Sequence, residues 1–266
     1  MSLDFDKFSF VSIDMVRKYN KSTGVLDWIL DELQDATLSS GEEVVYGTGK
    51  LGGRITALKK NKTASFTCNN GFVVGGLLAD QWGTAPEVAT TATIKNSYLE
   101  YITVGSETTV TTKFAATGTE GAEIGWIYTA NSDSSKNMAY AQGATASATA
   151  FSYVPSTKTL TLPTDVYDEG DIIIVSYDYL TKGKKYVNSG NTTSGSGKVV
   201  LDLTVKDGCN ENEYHAVVIG DNASINGQFD LAFGGDQSVH ALSIDFLKAN
   251  CSTNKEFFAF IIPEAS

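Results

Sequence analysis

The sequence predicts a mainly β fold: an antiparallel β-sandwich or barrel flanked by one or two helices, with a second, smaller β-sandwich inserted into it. Three observations carry this. The 266-residue chain has 25 glycines and only 4 prolines among many Thr, Ser and Val, which suits strands and turns better than long helices. Short runs alternate apolar with polar residues, as at Val199, Leu201, Leu203 and Val205, and at His240, Leu242, Ile244 and Phe246. The composition turns rich in Thr, Ala and Ser near residue 106 and returns through SGNTTSGSGK at 189–198, which reads as a flexible linker. The expected division is a discontinuous main domain, 1–105 with 183–266, and an inserted domain, 106–182.

Each element has its own reason. FSFVSIDMV at 8–16 reads as a strand. Residues 24–36 read as a helix, because Leu26, Ile29, Leu30 and Leu33 form an apolar stripe and Thr23 can cap it. Residues 54–59 and 63–68 alternate, with Ile55, Ala57, Ala64, Phe66 and Cys68 to one side. Lys60, Asn61 and Lys62 are expected to turn between them. Residues 71–82 read as a second helix, with Asn70 before it and Gly83 after it. Gly75 and Gly76 inside it make sense if another backbone packs close by. Within the insert, strands are expected at 122–130, 149–154, 158–163 and 171–180, with a turn at Asp168-Glu169-Gly170. Alternation at Phe229, Leu231 and Phe233, and the final EFFAFII at 256–262, complete the main core.

Charge is unevenly spread. The chain carries −11 overall, so a free copy repels phosphate backbones and ordinary nucleic-acid binding is disfavoured. Residues 44–64 hold Lys50, Arg54, Lys59, Lys60 and Lys62 and no acid, whereas 1–43 and 207–266 are net acidic. This pattern suits a basic element docking on an acidic surface of a neighbouring copy. Arg54, Lys59, Lys60 and Lys62 are the candidate interface residues, with Glu42 and Glu43 among the acids that offset them. No secretory signal and no 18-residue apolar stretch is read in the chain, so no membrane partner is expected. The three cysteines, Cys68, Cys209 and Cys251, are few and far apart and are expected to be reduced.

Catalytic equipment is not expected. Gly47-x-Gly49-x-x-Gly52 matches a dinucleotide fingerprint, but alternating RITALKK follows it where an amphipathic helix is required. Gly49-Lys50 and Gly197-Lys198 lack the Ser or Thr of a phosphate loop. His215 and His240 sit in expected strands, and metal-ligand spacings are missing. Asp165, Asp168, Glu169 and Asp171 read as a solvated acidic turn and not as a calcium loop. No cofactor and no nucleophile–base pair is assigned.

Four segments together resemble the tail tube, or major tail, proteins of tailed bacteriophages. They are TGVLDWILDEL at 23–33, GGRITALKKNKTASFTCNNGFVVGGLLADQWG at 52–83, LTLPTDVYDEGDIIIVSYDY at 160–179 and FDLAFGGDQSVHALSIDF at 229–246. The resemblance implies a β-barrel or sandwich core with an immunoglobulin-like insert. It implies copies assembled as hexameric rings stacked head to tail, together with other tail proteins, into a tube that DNA traverses without specific binding. It implies a virion component made in the bacterial cytoplasm. The alternative is a capsid decoration protein or adhesin whose inserted sandwich binds a surface glycan, for which Trp126, Tyr128, Tyr140, Tyr153 and Tyr167 offer aromatic surface.

Overall fold

The computed structural model describes residues 7–130, 136–208, 211–229, 239–248 and 255–263. Among them the strands are β1 (Phe8–Tyr19), β2 (Leu26–Leu30), β3 (Leu33–Thr48) and β4 (Arg54–Asn70). One helix follows, α1 (Gly75–Trp82). Next come β5 (Glu87–Thr103), β6 (Thr109–Thr111), β7 (Trp126–Ala130), β8 (Lys136–Gln142), β9 (Ala150–Val154), β10 (Thr159–Thr161) and β11 (Ile172–Lys185). The chain closes with β12 (Ser196–Asp207), β13 (Glu213–Ile225), β14 (His240–Phe246) and β15 (Ala259–Ile261). The fold is mainly β, as the composition predicts. Two compact units divide it: residues up to Pro86 with those from Tyr186 onward, and Glu87–Lys185. The second unit therefore begins well before the composition shift, because β5 pairs with β11 along nearly its whole length, from Ile172↔Thr103 to Lys185↔Glu87.

The first unit is an eight-stranded antiparallel sheet curled into a half-barrel, in the order β2-β1-β12-β13-β14-β4-β3, with β15 on β13. Period-two alternation puts Leu201, Leu203 and Val205 of β12 on its inner face. Val218 of β13 lies opposite Leu201, and Phe66 of β4 opposite Ile244. These residues and Val16, Trp28, Leu30 and Phe246 form one buried cluster. The curl leaves a cleft of about 590 Å³ where β1 and β3 approach, lined by Phe10, Ile13, Leu33, Ala36 and Leu38 among others.

Two expected elements are corrected. Residues 24–36 are not a helix: they form β2 and the start of β3. Trp28 and Leu30 point inward at strand period while Leu26 and Ile29 stay exposed, so the ladder with β1 overrides the apparent stripe. Lys60-Asn61-Lys62 is not a turn either, since β4 runs straight through it. The second helix does form, but Asn70 does not cap it. Its side chain accepts from the Glu32 amide at 3.2 Å and donates to the Phe72 carbonyl at 2.8 Å. Gly83 ends the helix in the left-handed region (φ 62°), where a side chain would strike the Thr193 backbone. A Cβ on Gly76 would come within 2.9 Å of the Trp28 side chain and 3.1 Å of the Asp27 carbonyl, which is the close approach its sequence suggested.

The stretch read as a flexible linker is tied down. Thr192 donates to the Trp82 carbonyl at 2.8 Å, and the Gly195 amide donates to the Asp80 carbonyl at 2.8 Å. The helix is held on its other side by His240, which is fully buried. The Val74 amide donates to its Nδ1 at 3.2 Å, so Nε2 carries the proton and donates to Gln81 Oε1 at 2.7 Å. Gln81 in turn donates to the Ala241 and Gln228 carbonyls. Cys68 is a buried free thiol, whose pKa burial pushes up to about 12. Cys209, Cys251, Leu231 and Phe233 lie outside the described residues.

The second unit strings seven strands in the order β5-β11-β7-β8-β9-β10-β6, antiparallel except for β8 with β9. Ile127, Phe151, Leu160, Ile173, Val175 and Tyr177 meet in one buried cluster, so the strand path folds over on itself. The turn at Asp168–Gly170 forms as expected, with the Asp171 amide donating to the Asp168 carbonyl at 3.1 Å.

Two measurements follow from this architecture. Replacing residues 87–185 with a short Gly/Ser loop is expected to leave a soluble, folded first unit, because Glu87 and Lys185 are paired neighbours and loop closure costs little more for a longer loop. Replacing only 106–182 strips β5 of its partner and is expected to give insoluble protein, read by soluble yield and circular dichroism. Acid is expected to weaken the first unit through His240. Burial holds its pKa below the ordinary 6.5, so its contribution is complete above that pH and is lost as pH falls through the folded pKa. Calorimetry should show His240→Gln less stable at neutral pH, with a smaller fall in its midpoint on acidification than the parent shows.

Candidate functional site

The hairpin of β3 and β4 outgrows the core. From Gly41 to its partner Thr63 every residue is exposed except half-buried Val44 and Gly49, so this part projects as a two-stranded arm. Its turn is the glycine cluster: the Gly49 amide donates to the Gly53 carbonyl at 2.7 Å, and Gly52 has a φ of 79°. The Gly47-x-Gly49-x-x-Gly52 pattern is thus a hairpin turn between two strands, with no helix after it.

A bulge sets which way the arm faces. Gly41 pairs with Thr63 and Glu43 with Lys60, so β4 carries one extra residue across Asn61 and Lys62. Asn61 takes the left-handed conformation (φ 51°), which Asn tolerates better than most residues. The extra residue switches the parity of β4. Ala57 and Lys59 therefore share a face with Ala64, Phe66 and Cys68. The broken alternation is visible in the sequence at this point, but it marks a bulge and not a turn.

The candidate residues converge on this arm. Lys59 Nζ pairs with Glu42 at 2.7 Å, and Lys60 with Glu43 at 3.7 Å. Asn61 Nδ2 donates to Glu43 at 2.6 Å, so the bulge and the acid hold each other. The hydrogen bond to Glu42, with its charge, keeps the exposed Lys59 pKa raised. Arg54 lies 4.0 Å over the ring of Tyr46. Lys62 makes no ion pair among the described residues. Glu42 and Glu43 therefore offset the basic cluster from within the same hairpin. Exposed pairs of this kind orient side chains more than they stabilise. Five basic side chains still face two acids between residues 42 and 62, which leaves the arm positive in an acidic chain.

Reading for charge missed the apolar part of the arm. Leu51 at the turn is 99% exposed, Ile55 71% and Leu58 64%. Leu58 and its partner Val45 lie on one face, and Tyr46 with Ala57 on the other. The available signal was apolar residues at both parities of a strand, which one covered face does not require. Of the aromatics proposed for an exposed platform, Tyr140 and Tyr153 are buried and Tyr167 half-buried, while Trp126 is exposed. No group of three or more His, Cys, Asp or Glu side chains is placed to hold a metal among the described residues. No described helix is long and apolar enough to cross a membrane.

The chain belongs to the YomU/Tube protein family, which matches it over residues 9–260. The family is one of phage-type tail tubes, so this is a structural protein of the virion that assembles with itself and with other tail proteins. Comparison with curated proteins gives no match.

The bulge can be tested without touching any charge. Asn61→Val forces a β-branched residue into the left-handed region at a cost of about 1–2 kcal/mol, and is expected to speed amide exchange across residues 41–60 roughly five- to thirty-fold. Asn61→Gly is expected to leave exchange near the parent level, because glycine adopts that conformation freely.

Proposed function

We propose that copies of this chain stack head to tail as hexameric rings, forming the hollow tube through which phage DNA is ejected, and that the β3–β4 arm makes the contacts between copies. The observation that carries this reading is the arm's exposed apolar surface on both faces. A two-stranded ribbon is marginal in water by itself, and apolar residues held clear of a core favour a protein neighbour. The contact is heterologous, since arm and receiving surface differ, and such contacts close into rings or extend as filaments. The remaining positive charge on the arm suits an acidic receiving surface on the next copy.

In this reading the arm's basic residues face protein, and the wall facing DNA is acidic and small polar. DNA carries one charge per roughly 1.7 Å of duplex axis, so a basic wall would bind and hold it. The role is structural and not enzymatic. The buried groups with chemical potential are already engaged in the fold: His240 bridges Val74 and Gln81, and Cys68 is packed into the core. The second unit is read as an immunoglobulin-like module carried by the tube subunit, supported by its seven strands around a single core.

Electron microscopy of concentrated protein is expected to show tubes or six-fold rings. Burying a leucine contributes about 1.5–3 kcal/mol, so Leu58→Asp is expected to raise the concentration needed for assembly at least about tenfold. Reversing Lys59, Lys60 and Lys62 to Glu is expected to weaken assembly most at low salt, where screening reaches roughly 30 Å at 0.01 M against 10 Å at 0.1 M. Polymerisation of both variants like the parent would remove the arm from the interface.

A further inference from the structure

The outer face of the second unit's sheet carries a surface that tube assembly does not explain. Strand alternation turns Ile173, Val175 and Tyr177 of β11 into the core and leaves Ser176 and Asp178 on the opposite face. The register puts Leu99 and Ser97 of β5 beside them, as Ser176↔Leu99 and Asp178↔Ser97. On the other flank Val175 pairs with Ile127, which sets Trp126 of β7 across from Ser176. Trp126 is 51% exposed, and Tyr101 and Leu99 are exposed on the same face. The small Ser176 thus lies in a slot between an indole and a leucine, two interstrand steps of about 4.8 Å apart.

This apolar floor runs into a polar cleft of about 410 Å³, lined by Lys95, Ser97, Thr117, Glu123, Ser176 and Asp178 among others. Its polar groups are held in place. Lys95 pairs with Asp178 at 2.7 Å, Glu123 accepts from Gln142 at 2.7 Å, and the Thr117 amide donates to the Asp178 carbonyl at 2.7 Å. The Lys95 charge is matched by Asp178, and Glu123 remains, so the cleft repels anions. It offers hydroxyls, carboxylate oxygens and an ammonium to a neutral ligand that both donates and accepts hydrogen bonds.

We propose that this face binds a neutral oligosaccharide, with one sugar ring stacked on Trp126 over Ser176 and its neighbour's hydroxyls bonded in the cleft. A pyranose has the required two-sided character. Its C–H face is apolar and fits an aromatic ring, while its rim is ringed with hydroxyls. The floor continues on the same face through Tyr101, Ile174 and Tyr128, but it opens directly onto Lys95, Asp178 and Glu123 of the cleft, and a protein laid across both would have to bury those charges.

The experiment titrates the full-length chain with chitotetraose, maltotetraose and a mannose tetrasaccharide, with dextran sulfate as the anionic comparison, and follows tryptophan fluorescence. Trp28 is buried and Trp82 half-buried, whereas Trp126 is exposed, so loss of the fluorescence response in Trp126→Ala assigns it to this face. At least one neutral sugar is expected to give a saturable change, and dextran sulfate none. Trp126→Ala is expected to abolish binding measured by calorimetry. Ser176→Phe, which fills the slot while keeping Trp126, is expected to weaken it at least about tenfold. Both variants are expected to form tubes like the parent, which separates this site from assembly. Absence of saturation by roughly 10 mM with all three neutral sugars, or binding unchanged in both variants, would overturn the assignment.

Discussion

A single ammonium group ties the helix of the first unit to its sheet. Lys18 is 3% exposed, and its Nζ lies 2.7 Å from both Asp27 of β2 and Asp80 of α1. Burial pulls its pKa down, but the hydrogen bonds and charges of the two aspartates outweigh that and leave it raised. Asp80 also accepts from Trp28 Nε1 at 2.6 Å, so one carboxylate joins β1, β2 and the helix. An eight-residue helix has little stability of its own. It persists because this network on one side and His240 with Gln81 on the other fix it in place. Gly195 and Gly197 are part of the same constraint, since side chains there would strike Asp80 and Lys18. Removing one member of such a buried set leaves an uncompensated charge, which is why it fixes geometry more firmly than it stabilises.

What the sequence made legible was whatever a covered face controls. The runs at 199–205 and 240–246 alternate because one side packs on the core, and both are strands in register with their neighbours. What it hid was local pattern overruled by pairing. Leu26, Ile29, Leu30 and Leu33 mimic a helical stripe only because Trp28 and Leu30 face inward while a new strand begins at Leu33. The strand Glu87–Thr103 is concealed because its sequence, EVATTATIKNSYLEYIT, lacks a strong period. Its identity comes from β11, whose apolar run was plain.

The candidate site shows the same division. Charge segregation is a property of composition, so the basic cluster at 50–62 could be read directly. The acids that face it could be named, but not their closeness, because Glu42 and Glu43 meet Lys59 and Lys60 through a hairpin whose turn was placed at the wrong point. Alternation puts Ile55 on the side of Ala57, Ala64, Phe66 and Cys68, yet it is 71% exposed, since nothing in a single strand shows where the core beneath it ends. Trp126 differs from Tyr140 and Tyr153 only in register, which the cross-strand partners determine.

The pairing of β1 with β12 also governs the order in which the chain can mature on the ribosome. Arg17 meets Asp202 through two 2.7 Å hydrogen bonds across 185 positions of sequence. At a synthesis rate of 5–20 residues per second, β1 waits roughly ten to forty seconds for its neighbour to emerge. During that interval the second unit, whose strands all lie between Glu87 and Lys185, is completed first. The arm is a local hairpin and is available early, but the half-barrel from which it projects lacks its central strands. The half-barrel therefore cannot close around its core until β12, β13 and β14 have been made.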